Sequence, residues 1–228
     1  MPPVVLLPGY LAGQAPYRGL VTAAQSLGVA IQVVPLRWWD WLPTLGGRSV
    51  APILEPLDHT IQQVQQQYPG EKITLIGHSA GGWISRIYLG QTPYYGRVWG
   101  GAARVARLVT LGTPHTSQER WTRKNLDFVN TEYPGAYHPE IQYICIAGQA
   151  VQGRKWTLAY ESYRLTCGQG DAWGDGITPV AAAHLAGAEN LTLPSVWHSP
   201  SSPGEWYGSP GVLPQWLPRC HASSDTKC

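Results

Sequence analysis

Short apolar runs alternate with longer stretches of helical spacing along most of the chain. Val4 to Leu7 is a continuous apolar run that stops at Pro8-Gly9. A run of that length predicts a strand covered on both faces, because a half-covered strand alternates apolar with polar. Tyr17 to Leu27 follows, with Leu20, Val21, Ala24 and Leu27 on one helical face. Ala30 to Pro35 predicts a second strand. Val50 to Tyr68 sets Ile53, Leu57, Ile61 and Val64 at helical spacing and ends at the breaker pair Pro69-Gly70. Lys72 to Gly77 predicts a third strand, Ala80 to Leu89 a helix, and Val105 to Leu111 and Ile141 to Ala147 two further strands. Pro179 to Leu185 predicts a short helix and Asn190 to Leu193 a last strand. Strands alternating with amphipathic helices form βαβ units. The expected fold is α/β, a mostly parallel central sheet with helices on both faces.

Three stretches carry weaker patterns. Leu36 to Gly47 is rich in Trp, Pro and Gly and predicts a loop. Thr113 to Glu140 is mostly polar, with a helix expected near Glu119 to Val129. Gly148 to Gly174 has little periodic signal. From Ser199 the chain is Ser-, Pro- and Gly-rich, yet Trp206, Tyr207, Val212, Leu213, Trp216 and Leu217 are expected to dock this tail on the body. No repeat or linker divides the chain, so one domain is expected over residues 1–228.

Composition narrows the function. Charged residues make up 13% of 228 positions and the formal net charge is +2. That balance offers no electrostatic footprint for nucleic acid. No secretory leader or run of eighteen apolar residues is visible, so a cytoplasmic location is expected. Cys145, Cys167, Cys220 and Cys228 show no CxxC spacing, which argues against zinc. Reduced thiols are expected, with a Cys220–Cys228 pair as the alternative. The 11 Trp and 12 Tyr stand against one Phe and one Met. Indole and phenol rings combine an apolar body with a polar tip and suit wet apolar surfaces.

The chemistry gathers around Gly77-His78-Ser79-Ala80-Gly81, a G-x-S-x-G motif between a predicted strand and a predicted helix. In that context the motif marks a sharp strand-to-helix turn that presents a nucleophilic serine, as in α/β-hydrolases. A serine hydroxyl needs a positioned base, and in this fold the order along the chain is Ser, acid, His. His198, just beyond the last strand, is the candidate base; His184 precedes that strand and His221 lies in the tail. Asp175, between Gly174 and Gly176, is the candidate acid, with Asp171 its competitor. The oxyanion hole is expected from the backbone N–H groups of Ala80 and Tyr10. Trp38 and Trp39 are candidate substrate-binding residues, lining an acyl pocket or touching lipid; burial against the second helix is the alternative.

Four blocks carry a resemblance: Leu6-Leu7-Pro8-Gly9-Tyr10, Gly77 to Trp83, Leu108 to His115, and Gly174 to Pro179. In this order they resemble lipase-like α/β-hydrolases of the bacterial and plastid lipase type, related to GPI inositol-deacylase-like proteins. The resemblance implies carboxylic-ester hydrolysis on acyl lipids or similar esters by Ser79, Asp175 and His198, and the acyl-transfer chemistry of such a triad requires no metal or cofactor. The partner implied is a small-molecule or lipid ester, and the Trp-rich loop Leu36 to Pro43 points separately to a transient contact with a membrane surface. One departure is Pro8-Gly9, where many relatives have His-Gly. An acyltransferase or thioesterase would use the same triad, and a non-catalytic binding protein of the same fold is the reading from another class.

Overall fold

The computed structural model describes residues 2–220. Six parallel strands form the central sheet, in the order β2-β1-β3-β4-β5-β8. These are β1 (Val4–Leu7), β2 (Ile31–Val33), β3 (Ile73–His78), β4 (Val105–Leu111), β5 (Gln142–Gln149) and β8 (Glu189–Pro194). β1, β3 and nearly all of β4 and β5 are buried, as expected for strands with cover on both faces.

The helices separate into two layers. On one face, α2 (Ala51–Gln67), α3 (Ala80–Leu89) and α4 (Arg120–Glu132) pack with Ile53, Leu57, Ile84, Ile87, Leu126 and Val129 in one cluster. On the other face, α1 (Arg18–Ser26) contributes Leu20 and Ala24, and the C-terminal segment contributes Tyr207, Leu213, Trp216 and Leu217. α7 (Leu213–Trp216) belongs to that segment. The Trp216 indole N–H donates to the Tyr207 carbonyl at 2.9 Å. A Pro- and Gly-rich stretch is therefore held by a few large side chains rather than by regular structure.

The register aligns the carboxyl ends of the strands. Leu7 pairs with Gly77, His78 with Leu111, and Leu111 with Ile146. The turns after β1, β3, β4, β5 and β8 accordingly meet at one edge of the sheet, where open α/β sheets place their ligand sites.

Two stretches hold more structure than their patterns predict. Residues 148–174 contain β6 (Val151–Gln152), α5 (Leu158–Cys167) and β7 (Trp173–Gly174). α5 buries only Ala159 and Tyr163 and leaves Leu158 85% exposed, so no apolar stripe announces it. Its ends are made by the Thr157 hydroxyl, which accepts from the Tyr160 N–H, and by Gly168 at φ 83°. In the expected loop 36–47, Trp38–Thr44 is a 3-10 helix, started by Asp40, whose carboxylate accepts from the Arg37 N–H at 2.8 Å. The short helix α6 (Val180–Ala183) completes the set.

Cys145 and Cys220 are buried and Cys167 is half-buried, all as free thiols. The alternative pairing with Cys228, and His221, lie outside the described residues. Among the described residues no helix is long and apolar enough to cross a membrane.

Candidate active site

β3 runs directly into Ser79, which has φ 53° and ψ −125°. That conformation is costly for a residue with a Cβ, typically about 1–3 kcal/mol. Surrounding contacts hold it: the Ser79 N–H donates to the Leu111 carbonyl at 2.9 Å, and the Thr113 hydroxyl donates to the Ser79 carbonyl at 2.8 Å. The motif's glycines are required by approach distance. A Cβ on Gly77 would overlap the Gly82 backbone, since α3 turns back immediately across the end of β3.

α3 begins at Ala80, so the Ala80 N–H has no intrahelical acceptor and points out of the helix N-terminus. The turn after β1 packs against this elbow. A Cβ on Gly9 would stand 3.0 Å from the Ser79 Cβ. The Gly9 N–H donates to the Tyr17 hydroxyl at 2.8 Å, whereas among the described residues the Tyr10 N–H has no acceptor in the fold. Of the Gly9 and Tyr10 amides, Tyr10 is therefore the free donor.

Asp175 and His198 meet across the sheet edge. Asp175 Oδ2 is 2.7 Å from His198 Nδ1, and the His198 N–H donates to the Asp175 carbonyl at 3.0 Å. Both side chains are buried. Asp175 Oδ1 accepts from the N–H groups of Ile177 (3.0 Å) and Thr178 (2.7 Å), and Oδ2 also accepts from the Tyr207 hydroxyl at 2.8 Å. Tyr207 is held in turn by the Gly148 N–H at 2.7 Å. Its own ionisation is pushed well up, by burial first and then by the Asp175 charge, so it remains a donor. Asp171, the competing acid, is exposed, and its carbonyl accepts from the Gln152 side chain. His184 lies against the Thr192 hydroxyl at 3.1 Å. Among the described residues no hydrogen bond joins the Ser79 hydroxyl to His198, and resting sites of this kind often close that bond only around substrate.

A cavity of about 330 Å³ opens beside Ser79. Its lining includes Tyr10, Trp41, Leu45, Val50, Ala80, Trp83 and Trp121. The wall is predominantly apolar, and the start of α4 contributes Glu119, Trp121 and Asn125 to it. Trp38 and Trp39 do not line this cavity. They stand 56% and 46% exposed on the 3-10 helix, ring against ring at 5.6 Å, while Trp41 of the same helix turns inward and donates its indole N–H to the Ala12 carbonyl. The helical turn separates the three indoles, a distinction that a loop reading does not make. Tyr17 and Tyr207 contribute polar groups that sequence reading missed. Both lie in apolar patterns that predict core packing, and nothing local marks their hydroxyls.

The chain matches the family model "PGAP1-like alpha/beta domain" over residues 42–133. No curated protein matches the chain. Among solved structures, the mature Bacillus licheniformis lipase BlEst2 superposes with a TM-score of 0.69 at 19% identity, covering 96% of this chain and 91% of the other. The Legionella pneumophila phospholipase PlaB gives 0.66 at 15% identity, covering 99% of this chain and 61% of that one. The Paleococcus ferrophilus monoacylglycerol lipase gives 0.55 at 13% identity, with 96% of each chain covered. At these identities the likeness is one of fold. Together with the elbow at Ser79, it shows that the chain has the α/β-hydrolase fold.

Proposed function

We propose that the protein is a serine carboxylic-ester hydrolase acting on acyl esters of lipid type. The observation that carries this reading is the position of Ser79, strained at a helix N-terminus and opening onto an apolar cavity, at the same sheet edge as the buried Asp175–His198 pair.

In the first step His198 Nε2 takes the Ser79 proton as Oγ attacks the ester carbonyl. The N–H groups of Ala80 and Tyr10 receive the charge that develops on oxygen. Asp175 holds the imidazole in the tautomer with the proton on Nδ1 and stabilises its cation. His198 then protonates the departing alcohol, leaving an acyl group on Ser79. Water enters, gives its proton to His198 and releases the acid by the same path. The acyl chain occupies the cavity between Trp41, Val50 and Trp83.

The test is hydrolysis of p-nitrophenyl esters from acetyl to palmitoyl, with Ser79→Ala in parallel. Wild-type turnover that falls by several orders of magnitude in the variant is expected. Turnover retained by Ser79→Ala overturns the assignment.

The exposed rings of Trp38 and Trp39, with Leu42 and Trp121 also exposed, support contact with a lipid surface. Replacing Trp38 and Trp39 together by Ala is expected to weaken sedimentation with phosphatidylcholine–phosphatidylglycerol liposomes several-fold. Unchanged sedimentation rejects the contact.

A further inference from the structure

His78, the residue before the elbow serine, is fully enclosed and bonded at both ring nitrogens. Nδ1 lies 2.8 Å from the Tyr17 hydroxyl and Nε2 lies 2.8 Å from the His198 carbonyl oxygen. A carbonyl only accepts, so Nε2 must carry a proton. Burial, reinforced by the nearby His198, pulls the His78 pKa down to about 3, so the ring is neutral and has one proton. Nδ1 is then the bare nitrogen and accepts from Tyr17. The same Tyr17 oxygen accepts the Gly9 N–H at 2.8 Å. Each donor in this chain has one acceptor and each direction is determined: Gly9 N–H to Tyr17, Tyr17 O–H to His78, His78 Nε2–H to the His198 carbonyl.

These bonds span three separate segments. Gly9 precedes Tyr10, whose amide is the candidate oxyanion donor. His78 precedes Ser79. His198 is the candidate base. The rings around the relay restrict other arrangements: Trp206 stands edge-on to both Tyr17 and His78 at 5.9 and 5.8 Å, and the rings of His78 and His198 lie 4.9 Å apart.

We infer that Tyr17 and His78 are positioning residues that fix the spacing between the oxyanion turn, the nucleophile and the base through one directed hydrogen-bond relay. Neither ring transfers a proton in the reaction. The relay acts on main-chain atoms, so it sets where the Tyr10 amide and the His198 ring stand relative to Ser79. This inference rests on the ester-hydrolase reading for its kinetic consequence, but not for the relay itself.

Two measurements test it. The first is the tautomer of His78 in the 15N spectrum of the wild-type protein at pH 7, which does not require activity. A proton on Nε2 with bare Nδ1 is expected; a proton on Nδ1 overturns the relay. The second is Tyr17→Phe, which removes both bonds of the hydroxyl while keeping the ring. On p-nitrophenyl butyrate, kcat is expected to fall about 10- to 100-fold with KM within about threefold, since misplacement of the reacting groups acts on the transition state. An unchanged kcat in the folded variant overturns the positioning role. A wild type with no Ser79-dependent turnover would instead sink the hydrolase reading, and the tautomer would still decide the relay. If Tyr17→Phe fails to fold, the tautomer in the wild type remains decisive.

Discussion

Two halves of the site are built on opposite principles. The half that contains His78, Asp175, His198, Tyr17 and Tyr207 is a closed set of hydrogen bonds, with Asp175 alone accepting from four donors. The half that contains Trp41, Leu45, Val50 and Trp83 is a cavity with an apolar wall and few directional contacts. A buried polar group left without a partner costs about 1–3 kcal/mol, so the first half tolerates few arrangements. An apolar wall is constrained mainly by volume, and its members exchange at lower cost. Chemistry and specificity should therefore be separable by mutation.

The strongest test of that separation is Asp175→Asn. It keeps the shape of the polar half but is expected to present the wrong tautomer to His198. Ester turnover should fall by about three to four orders of magnitude for acetyl and long-chain esters alike. A loss confined to long chains would merge the two halves. Leu45→Trp makes the converse change at the cavity mouth, where Leu45 is partly exposed. Hydrolysis of decanoyl and longer esters should fall about 10-fold while acetyl ester hydrolysis stays within twofold, as a chain-length profile would show. Equal losses across the series would mean that the cavity does not hold the acyl chain.

The smallest expected effect is on stability. His78 is neutral in the folded protein down to about pH 3, whereas an exposed imidazole binds a proton near pH 6.5. Between those values the unfolded chain binds more protons, so stability falls as pH falls below about 6.5. At pH 5 this one residue should cost on the order of 2 kcal/mol relative to pH 7. His115, fully buried and also held well below the ordinary range by burial, acts in the same direction. Urea midpoints at pH 7 and pH 5 measure the fall, and His78→Gln should reduce it. A fall of equal size in that variant would show that the polar half does not couple to acid stability through His78.

Much of the fold is legible along the chain because each buried strand is a short apolar run and each large helix shows one apolar face. Val4–Leu7, Ala80–Leu89 and Val105–Leu111 have the bounds their patterns predict, and other elements differ by a residue or a few at the ends. Exceptions follow from exposure. α5 has too little buried surface to leave a stripe, and the 3-10 helix at Trp38–Thr44 has a period that its Trp, Pro and Leu residues do not display. The motif serine, the acid between glycines and the histidine after the last strand are legible because the fold prescribes their order. The contributions of Tyr17 and Tyr207 are not, because a hydroxyl on a core aromatic looks the same in sequence whatever it bonds.

By itself, the sequence determined the parallel α/β architecture and the candidate triad, since both depend on local pattern and on order along the chain. Only the tertiary structure decided which indole of Trp38, Trp39 and Trp41 turns to the cavity. It alone decided that the Gly9 N–H is taken and the Tyr10 N–H is not, and which way the protons point from Gly9 through Tyr17 and His78 to His198. Those outcomes depend on where residues from position 9 to position 207 meet at the sheet edge. Where Gly9, Tyr17, His78, Asp175 and Tyr207 meet away from water, their donors find acceptors within the fold.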